Sequence, residues 1–431
     1  MRTHSPLTWS FATALAVAAC GVEPAAAEML SVLFPEGVPG YDTADGVTVQ
    51  SRLHPEQMPL GLREDVLQFW PRLDEGFGFT SNVSPGPYRQ GSWQVVTEPT
   101  LAVTSDWSRG AFGAVLSAQD TRYLSLPSQD QTNATVSAGG RIDIGEDQVS
   151  LAVAHLDQHE VRGQLDTIPS DKPIAFQIDD VRASYTLNSG RWSLIPSFQA
   201  SNWTYDATTV MGVPTSQSYR DRLVTQGAVT LRYEWAPLRD ILFVVRAVGQ
   251  DYTHTPTGQP TPDSTSYQAL GGFDYDDHAV WRWRLLIGGE ARQFTSPLYP
   301  RQNTAIAEAG ATWSPSGTTS LDVTLSRETA DAAQQGVSGL VYTSARLTIE
   351  HEWLRNLLVQ ASFGLQRADF FQGGYQIGGS AGAGLVWVIN RSMRVSFTYD
   401  QTDLGASHGQ PGTSTPGYSL GLGLITVRIG F

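Results

Sequence analysis

The chain has 431 residues, of which 41% are hydrophobic and 16% are charged, and its formal net charge is −14. This acidity excludes an extended nucleic-acid surface, because such a surface needs clustered cations that displace counterions. The hydrophobic content excludes a disordered chain. Beyond the N-terminus, no run approaches the ~18 to 20 apolar residues of a membrane-spanning helix.

The N-terminus has the features of a secretory signal, which we predict over residues 1–27. The stretch 7–19 is apolar, and three alanines ending at Ala27 form a small-residue cleavage site. The alternative is a lipoprotein box ending at Cys20, with that cysteine lipidated, but Val17 opens such a box less well than leucine. Cys20 is the only cysteine. Cleavage after Ala27 therefore leaves no disulfide, thiolate metal site or cysteine nucleophile.

Residues 28–66 are rich in proline and glycine and lack a hydrophobic period, which predicts an extended periplasmic leader. From there to residue 431 the dominant pattern is strict alternation. In the segment 394–400, for example, Val395, Phe397 and Tyr399 share one face and polar residues share the other. A period of two is typical of β-strands. About 18 strands are predicted, at 68–81, 93–105, 110–123, 132–144, 149–160, 176–187, 192–205, 220–234, 241–253, 266–276, 281–295, 303–313, 318–329, 341–351, 356–369, 375–388, 392–403 and 417–431.

The connections between these strands alternate in length. Eight are short, near 106–109, 145–148, 188–191, 235–240, 277–280, 314–317, 352–355 and 389–391. Longer polar loops lie between them, such as 161–175, 206–219, 254–265, 330–340 and 404–416. Short turns on one rim and long loops on the other are typical of an outer-membrane barrel, with the turns in the periplasm and the loops outside the cell.

Tryptophan supports the same arrangement. Seven of the eight short turns have a tryptophan in or beside them: Trp107, Trp192, Trp235, Trp281, Trp313, Trp353 and Trp387. An indole at a membrane interface buries its apolar body while its N–H stays hydrated, so these rings predict an aromatic belt at one interface. The alternative is that tryptophans favour strand ends in any β protein. It does not explain well why these seven tryptophans lie at the same rim.

The last strand ends on an aromatic residue, Phe431, which shares one face with Ile425, Val427 and Ile429. Such an ending resembles the signal by which barrel-assembly machinery recognises its substrates. Leu420 and Leu422 are out of phase with this face, which predicts a bulge near Leu424.

Only a closed barrel satisfies all of these features in a membrane, because lipid-facing strands cannot leave backbone groups unpaired. We therefore predict an all-β fold, a single transmembrane antiparallel up-and-down β-barrel of about 18 strands over residues 67–431. A barrel of this size leaves an aqueous lumen unless something fills it. The leader is too short for the plug domain of active-transport receptors.

Several segments resemble the family of outer-membrane proteins known as putative beta-barrel porin 2. The resemblance begins at 59–63 (PLGLR) and 71–83 (PRLDEGFGFTSNV). It continues through 104–112, 263–276, 312–331, 347–374 and 385–403. It implies an outer-membrane channel associated with exopolysaccharide export beside a periplasmic export protein. The resemblance assigns no functional residues.

The sequence predicts no catalytic site, cofactor or metal. His155 and His159 share a strand with Asp157 and Ser150, a pattern more typical of a solvated strand end than of a hydrolase triad. No HExxH motif or Cys/His cluster occurs. The segment 378–384 (GGSAGAG) lies inside a strand, where small residues relieve crowding rather than hold a phosphate.

The inward face of the barrel is where a function is expected. Alternation gives these lumen-lining candidates: Arg141, Arg182, Arg232, Arg246, Arg282, Arg284, Glu290, Arg292, Arg346, Glu350, Arg394 and Arg428. One interpretation is a ladder of ion pairs that stabilises the wall, since arginine binds carboxylates bidentately. The other is a hydrated lumen for polar solutes. The two are compatible. Inward carboxylates such as Asp143, Glu234 and Asp400 are interspersed with these arginines, so the pattern gives no strong case for anion or cation selectivity.

The leading hypothesis is therefore a channel for polar solutes or for exopolysaccharide export. Two alternatives are a barrel enzyme and a non-conducting scaffold or adhesin whose lumen is occluded by the leader or the long loops. The expected partners are outer-membrane lipid and lipopolysaccharide, the barrel-assembly machinery through Phe431, and a periplasmic polysaccharide export protein. Nucleic acid is not expected.

Overall fold

A computed structural model describes residues 38–41, 47–52, 54, 56–83, 89–160, 163–277, 280–409 and 417–431. The predicted signal segment 1–27, including Cys20, lies outside the described residues. Among the residues described, no helix is long and apolar enough to cross a bilayer.

Eighteen strands form the barrel, and three short strands accompany them. The bounds are β1 (Leu62–Glu64), β2 (Leu67–Thr80), β3 (Ser92–Ser105), β4 (Gly110–Tyr123), β5 (Gln131–Ile144), β6 (Asp147–His159), β7 (Ala175–Ser189), β8 (Trp192–Tyr205), β9 (Thr208–Val210), β10 (Val213–Thr215), β11 (Arg222–Ala236), β12 (Arg239–Tyr252), β13 (Ser264–Asp276), β14 (Trp281–Phe294), β15 (Gln302–Ser316), β16 (Thr319–Ala330), β17 (Leu340–Leu354), β18 (Leu357–Phe370), β19 (Tyr375–Asn390), β20 (Met393–Leu404) and β21 (Tyr418–Gly430). The strands β1, β9 and β10 are the short ones.

The barrel is closed. Each barrel strand pairs antiparallel with the next one in the chain, and β8 pairs directly with β11. The first barrel strand, β2, pairs with the last, β21, from Arg72 opposite Gly430 to Thr80 opposite Leu422. This pairing leaves no free sheet edge, as a membrane requires. The predicted strand count and topology are thus confirmed.

Alternation separates two faces. On β2, Leu73, Phe77 and Phe79 are exposed on the outside, whereas Asp74 and Thr80, at alternate positions, are buried on the inside. The seven tryptophans beside the short turns are all exposed, from 37% for Trp313 to 69% for Trp353. Trp281 and Trp313 stack across neighbouring strands with centroids 5.2 Å apart. The belt therefore has the exposed, strand-end placement that the sequence predicts.

The predicted bulge near Leu424 is wrong. The register between β20 and β21 is continuous, with Leu424 opposite Thr398 and Ile425 opposite Phe397. Leu420 and Leu422 therefore face inward. The physical reason is that the interior is apolar there, because Leu420 packs against a buried cluster that includes Tyr418.

One sector of the wall approaches its neighbours very closely. A Cβ on Gly272 would lie 1.7 Å from the carbonyl oxygen of Leu285, and one on Gly288 would lie 1.9 Å from that of Ala269. Only glycine fits such contacts. Beside them, five inward-facing apolar side chains form a fully buried cluster: Leu242, Val244, Leu270, Leu286 and Ile306.

Candidate functional site: the barrel interior

All twelve lumen-lining candidates lie in the inward-facing register set. Most are paired with a carboxylate on the same or a nearby strand. Arg282 lies 2.8 Å from Asp276, and Arg182 lies 3.1 Å from Asp180. The remaining pairs are Arg141 with Asp143, Arg232 with Asp240, Arg246 with Glu308, Arg292 with Asp331, and Arg428 with Asp74.

The barrel seam carries one such network. Arg428 on β21 donates to both carboxylate oxygens of Asp74 on β2, at 2.6 and 3.0 Å. Arg72 lies 3.4 Å from Asp74 and 3.3 Å from Glu98 on β3. Charged hydrogen bonds of this kind are the strong ones. They connect the first, second and last barrel strands on the inner face.

The other candidates differ in their partners. Glu290 accepts hydrogen bonds from Ser266 at 2.8 Å and Gln268 at 2.9 Å. Arg394 donates to the carbonyl oxygen of Gln57, and Arg346 lies in the field of Asp400. Arg284 has no ion pair or hydrogen bond among the described residues, and the charges around it are Glu308, Asp274, Arg246 and Arg232. At these positions the inner wall is therefore polar, with its charges largely compensated, and it lies beside the inward-facing apolar clusters.

Part of the predicted leader lies inside the barrel. Val38 and Tyr41 are buried in a cluster with Leu156 and Ile178 on the inner face of β6 and β7. The Tyr41 hydroxyl donates to Oδ1 of Asp180 at 3.0 Å. Residues 38–41 therefore cover the inner wall of this sector.

A second part of the leader contacts a different wall. The backbone N–H of Val49 donates to Oγ of Ser320 at 2.8 Å, and that of Gln50 donates to Oε2 of Glu350 at 2.8 Å. These partners lie on β16 and β17. In the cyclic order of 18 barrel strands, β17 is nine positions from β6, which places the two contacts on opposite sides of the barrel.

Two long loops also fold inward. In the loop between β6 and β7, the Asp166 N–H donates to Oε1 of Gln376 on β19 at 3.1 Å. Its carboxylate accepts the N–H of Ala333, from the loop between β16 and β17, at 2.6 Å. Burial raises the pKa of Asp166 to about 7. These contacts hold loops from distant strands across the interior.

Buried ion pairs tie the loops to the wall. Asp331 lies 2.9 Å from Arg222 on β11 and 2.7 Å from Arg292 on β14. Arg220, in the connection before β11, pairs with Glu160 after β6. Each of these charged side chains has a partner of opposite sign, as buried charges require.

From the sequence, a lumen occluded by the leader or the long loops is only an alternative, and none of these contacts is identified, although one signal is present. The inward positions of β6 to β8 include Leu156, Phe176, Ile178 and Trp203, which are apolar on the face assigned to water. A strand that is apolar on both faces indicates that something covers its inner side. Here that cover includes residues 38–41.

The histidines do not form a site in the described part of the chain. His155 faces outward and lies 2.7 Å from Asp179, and His351 contacts Thr319 at 2.9 Å on another sector. His254 lies 3.5 Å from Asp221 near the loops. No group of three or more His, Cys, Asp or Glu residues that could hold a metal occurs among the residues described.

A closed 18-strand barrel with an apolar outer face, an aromatic rim and a polar inner wall defines an outer-membrane barrel of the porin class. The chain belongs to the family described as putative beta-barrel porin 2, whose sequence model matches residues 59–426. It is accordingly a protein of the outer membrane. This family is one of porins.

Several solved structures are similar at low identity. OccK1 (OpdK) of Pseudomonas aeruginosa is 8% identical, with 86% of this chain and all of that chain covered and a TM-score of 0.45. OccK2 (OpdF) of the same organism, in complex with glucuronate, is 8% identical. The match covers 86% of this chain and 99% of that chain, and its TM-score is 0.46. The ferric-catecholate import receptor Fiu of E. coli is 11% identical. The match covers 86% of this chain and 82% of that chain, and its TM-score is 0.42. No match was found among curated protein sequences.

Proposed function

We propose that the protein conducts polar solutes across the outer membrane. The observation that supports this most directly is the inner wall, where arginines and carboxylates pair along and across the strands. Such a wall stays hydrated and presents hydrogen-bonding groups of both kinds, because each pair retains unused donors and acceptors. The near balance of charge favours neutral polar solutes over either ion sign.

Sugars are the polar solutes that best fit this interior. Sugar hydroxyl groups are uncharged donors and acceptors, and they match the arginine–carboxylate pairs of the inner wall without favouring either sign of charge. The second form of the proposal is that the barrel exports a polysaccharide chain. In the export form, a periplasmic polysaccharide export protein would deliver the chain.

Purified protein in liposomes tests the proposed function. We expect uptake of mono- and disaccharides well above the rate of protein-free liposomes, with the rate falling as sugar size increases. A strain lacking the gene distinguishes the two forms, because loss of surface polysaccharide with normal sugar uptake would favour export. Liposomes that contain heat-modifiable, folded barrel yet take up no sugar, together with unchanged surface polysaccharide in the deletion strain, would contradict both forms.

A further inference from the structure

The inner wall of β5 to β7 is occupied by the protein's own chain. Val38 is fully buried and Tyr41 is 3% exposed, and both pack on side chains of the wall. Gly40 has a φ of +96°, and a Cβ added to it would lie 2.8 Å from that of Ala152. The segment therefore seats closely on the wall, at a point where only glycine fits.

The sheet does not depend on this segment. All 18 barrel strands are paired with one another without it. Asp180, which accepts the Tyr41 hydroxyl, also accepts from Arg182 at 3.1 Å and from Gln199 at 2.7 Å. If Tyr41 left, Asp180 would keep these wall partners. Undocking would therefore break no strand pairing and leave no unpaired buried charge.

We propose that the inner wall of β5 to β7 is a docking site for residues 38–41, and that undocking of these residues widens the lumen. This inference rests on the channel function proposed above. The contacts of Val49 and Gln50 with the opposite wall keep the undocked residues tethered within the barrel. The site is thus an internal ligand site whose ligand is part of the same chain.

Substitution of Gly139 tests whether residues 38–41 dock on this wall. A Cβ on Gly139 of β5 would lie 2.0 Å from the carbonyl oxygen of Pro39, 3.1 Å from its carbonyl carbon and 3.0 Å from Cγ1 of Val38. All three atoms belong to the docked segment. Gly140 faces outward, and the nearest atom to its Cβ would be a carbonyl oxygen 3.7 Å away. Gly139→Ala is therefore a wedge under the segment, and Gly140→Ala is its matched control on the next residue.

Thiol labelling reports docking without requiring conduction. Val38→Cys is made in the full chain with Cys20→Ser, and a membrane-impermeant maleimide is added to folded protein. We expect slow labelling alone and with Gly140→Ala, but labelling at least tenfold faster with Gly139→Ala. A second wedge, Gly139→Val, should give the same increase. Fast labelling without any wedge, or equally slow labelling with both wedges, would overturn the docking site.

Single-channel recording separates this inference from the proposed function. We expect Gly139→Ala and Tyr41→Ala to conduct severalfold more than the unchanged protein, and Gly140→Ala to conduct the same. Faster labelling of the wedge variants with no change in a measurable conductance would contradict the widening of the lumen. If none of the proteins conducts while the wedges still accelerate labelling, the docking site stands and the channel function fails.

Discussion

Asp166 is a buried carboxyl group that connects two loops inside the barrel. Its carboxylate is buried, its Oδ2 accepts from Ala333, and its Oδ1 has no hydrogen-bond partner among the described residues. Burial is the largest influence and raises its pKa to about 7, while Arg220 opposes and Glu160 adds to the increase. Tyr219 on the same connection as Arg220 is the other titratable group nearby. A neutral carboxyl is thus favoured in the docked loop.

The raised pKa of Asp166 determines how pH affects the docking of the loop. Because the pKa in the docked state is above the value of 3.8 for a free carboxyl, docking is most stable when the group is protonated. This stabilisation is complete below about pH 4 and is lost as the pH rises towards 7. The loop should therefore open more often at pH 8 than at pH 5.5.

Proteolysis at the single lysine measures this opening. Lys172 is exposed and followed by Pro173, so a protease that cleaves on the amino side of lysine is the suitable probe. We expect cleavage to be about tenfold or more faster at pH 8 than at pH 5.5, after correction for the activity of the protease on a peptide. Asp166→Asn should remove the pH dependence. An equal pH dependence in that variant would show that another group is responsible.

At the scale of elements, the seam between β2 and β21 is held by backbone pairing and by the buried ion pair of Asp74 with Arg428. We expect Arg428→Met to lower the free energy of unfolding by about 3 kcal/mol, because buried Asp74 loses its bidentate partner and keeps only the longer contact with Arg72 and the more distant charge of Arg394. Urea unfolding of the refolded barrel in detergent is the measurement.

Two variants control the seam experiment. Arg141→Met removes a half-exposed pair with Asp143 on one strand, 3.4 Å apart, and should cost no more than about 1 kcal/mol. The double variant Asp74→Asn with Arg428→Gln should recover part of the loss, since no buried charge is then unpaired. A cost for Arg428→Met as small as that for Arg141→Met would contradict the role assigned to the seam pair.

Strand geometry in the sector of β13 and β14 depends on glycine. Gly288→Ala places a Cβ 1.9 Å from a backbone oxygen, whereas Gly289→Ala on the next residue meets nothing closer than 3.8 Å. We expect the first change to destabilise the barrel by about 3 kcal/mol or more and the second to be nearly neutral. The yield of heat-modifiable barrel after refolding compares them. Equal yields would mean that the backbone around Gly288 can move enough to accept a Cβ.

At the scale of the whole molecule, the two rims differ in what they expose. The connection between β8 and β11 carries the β9–β10 hairpin, where Met211 is 88% exposed. The opposite rim has tight turns such as the one at Gly190, where nothing lies within 4 Å of an added Cβ. Both sites can accept an inserted epitope, because little packs against them.

An epitope at each site tests the orientation of the barrel. We expect antibody to bind intact cells when the tag follows Met211, and to bind only permeabilised cells when it follows Gly190. Short turns of outer-membrane barrels face the periplasm, which is the physical basis of the expectation. The reverse result would require the aromatic belt to lie at the outer interface.

The sequence by itself determined the number of strands, their order, the lengths of their connections and the outward face. These features are local: alternation within about ten residues shows which side chains meet lipid, and lipid requires a closed barrel. The inward register of residues such as Arg182 and Glu290 follows from the same period of two. The bulge wrongly predicted near Leu424 shows the limit of alternation as a guide, because alternation does not show what fills the interior of the barrel.

Only the tertiary structure decided what occupies the lumen. Tyr41 meets Asp180 across 139 residues of sequence, Asp166 meets Gln376 across 210, and Gln50 meets Glu350 across 300. No local pattern encodes such contacts, since each depends on closing the barrel before its two sides face each other. Residues 38–41 and 47–52 of the leader and residues such as Asp166 and Ala333 of the loops have no periodicity of their own, and they pack on walls that distant strands provide.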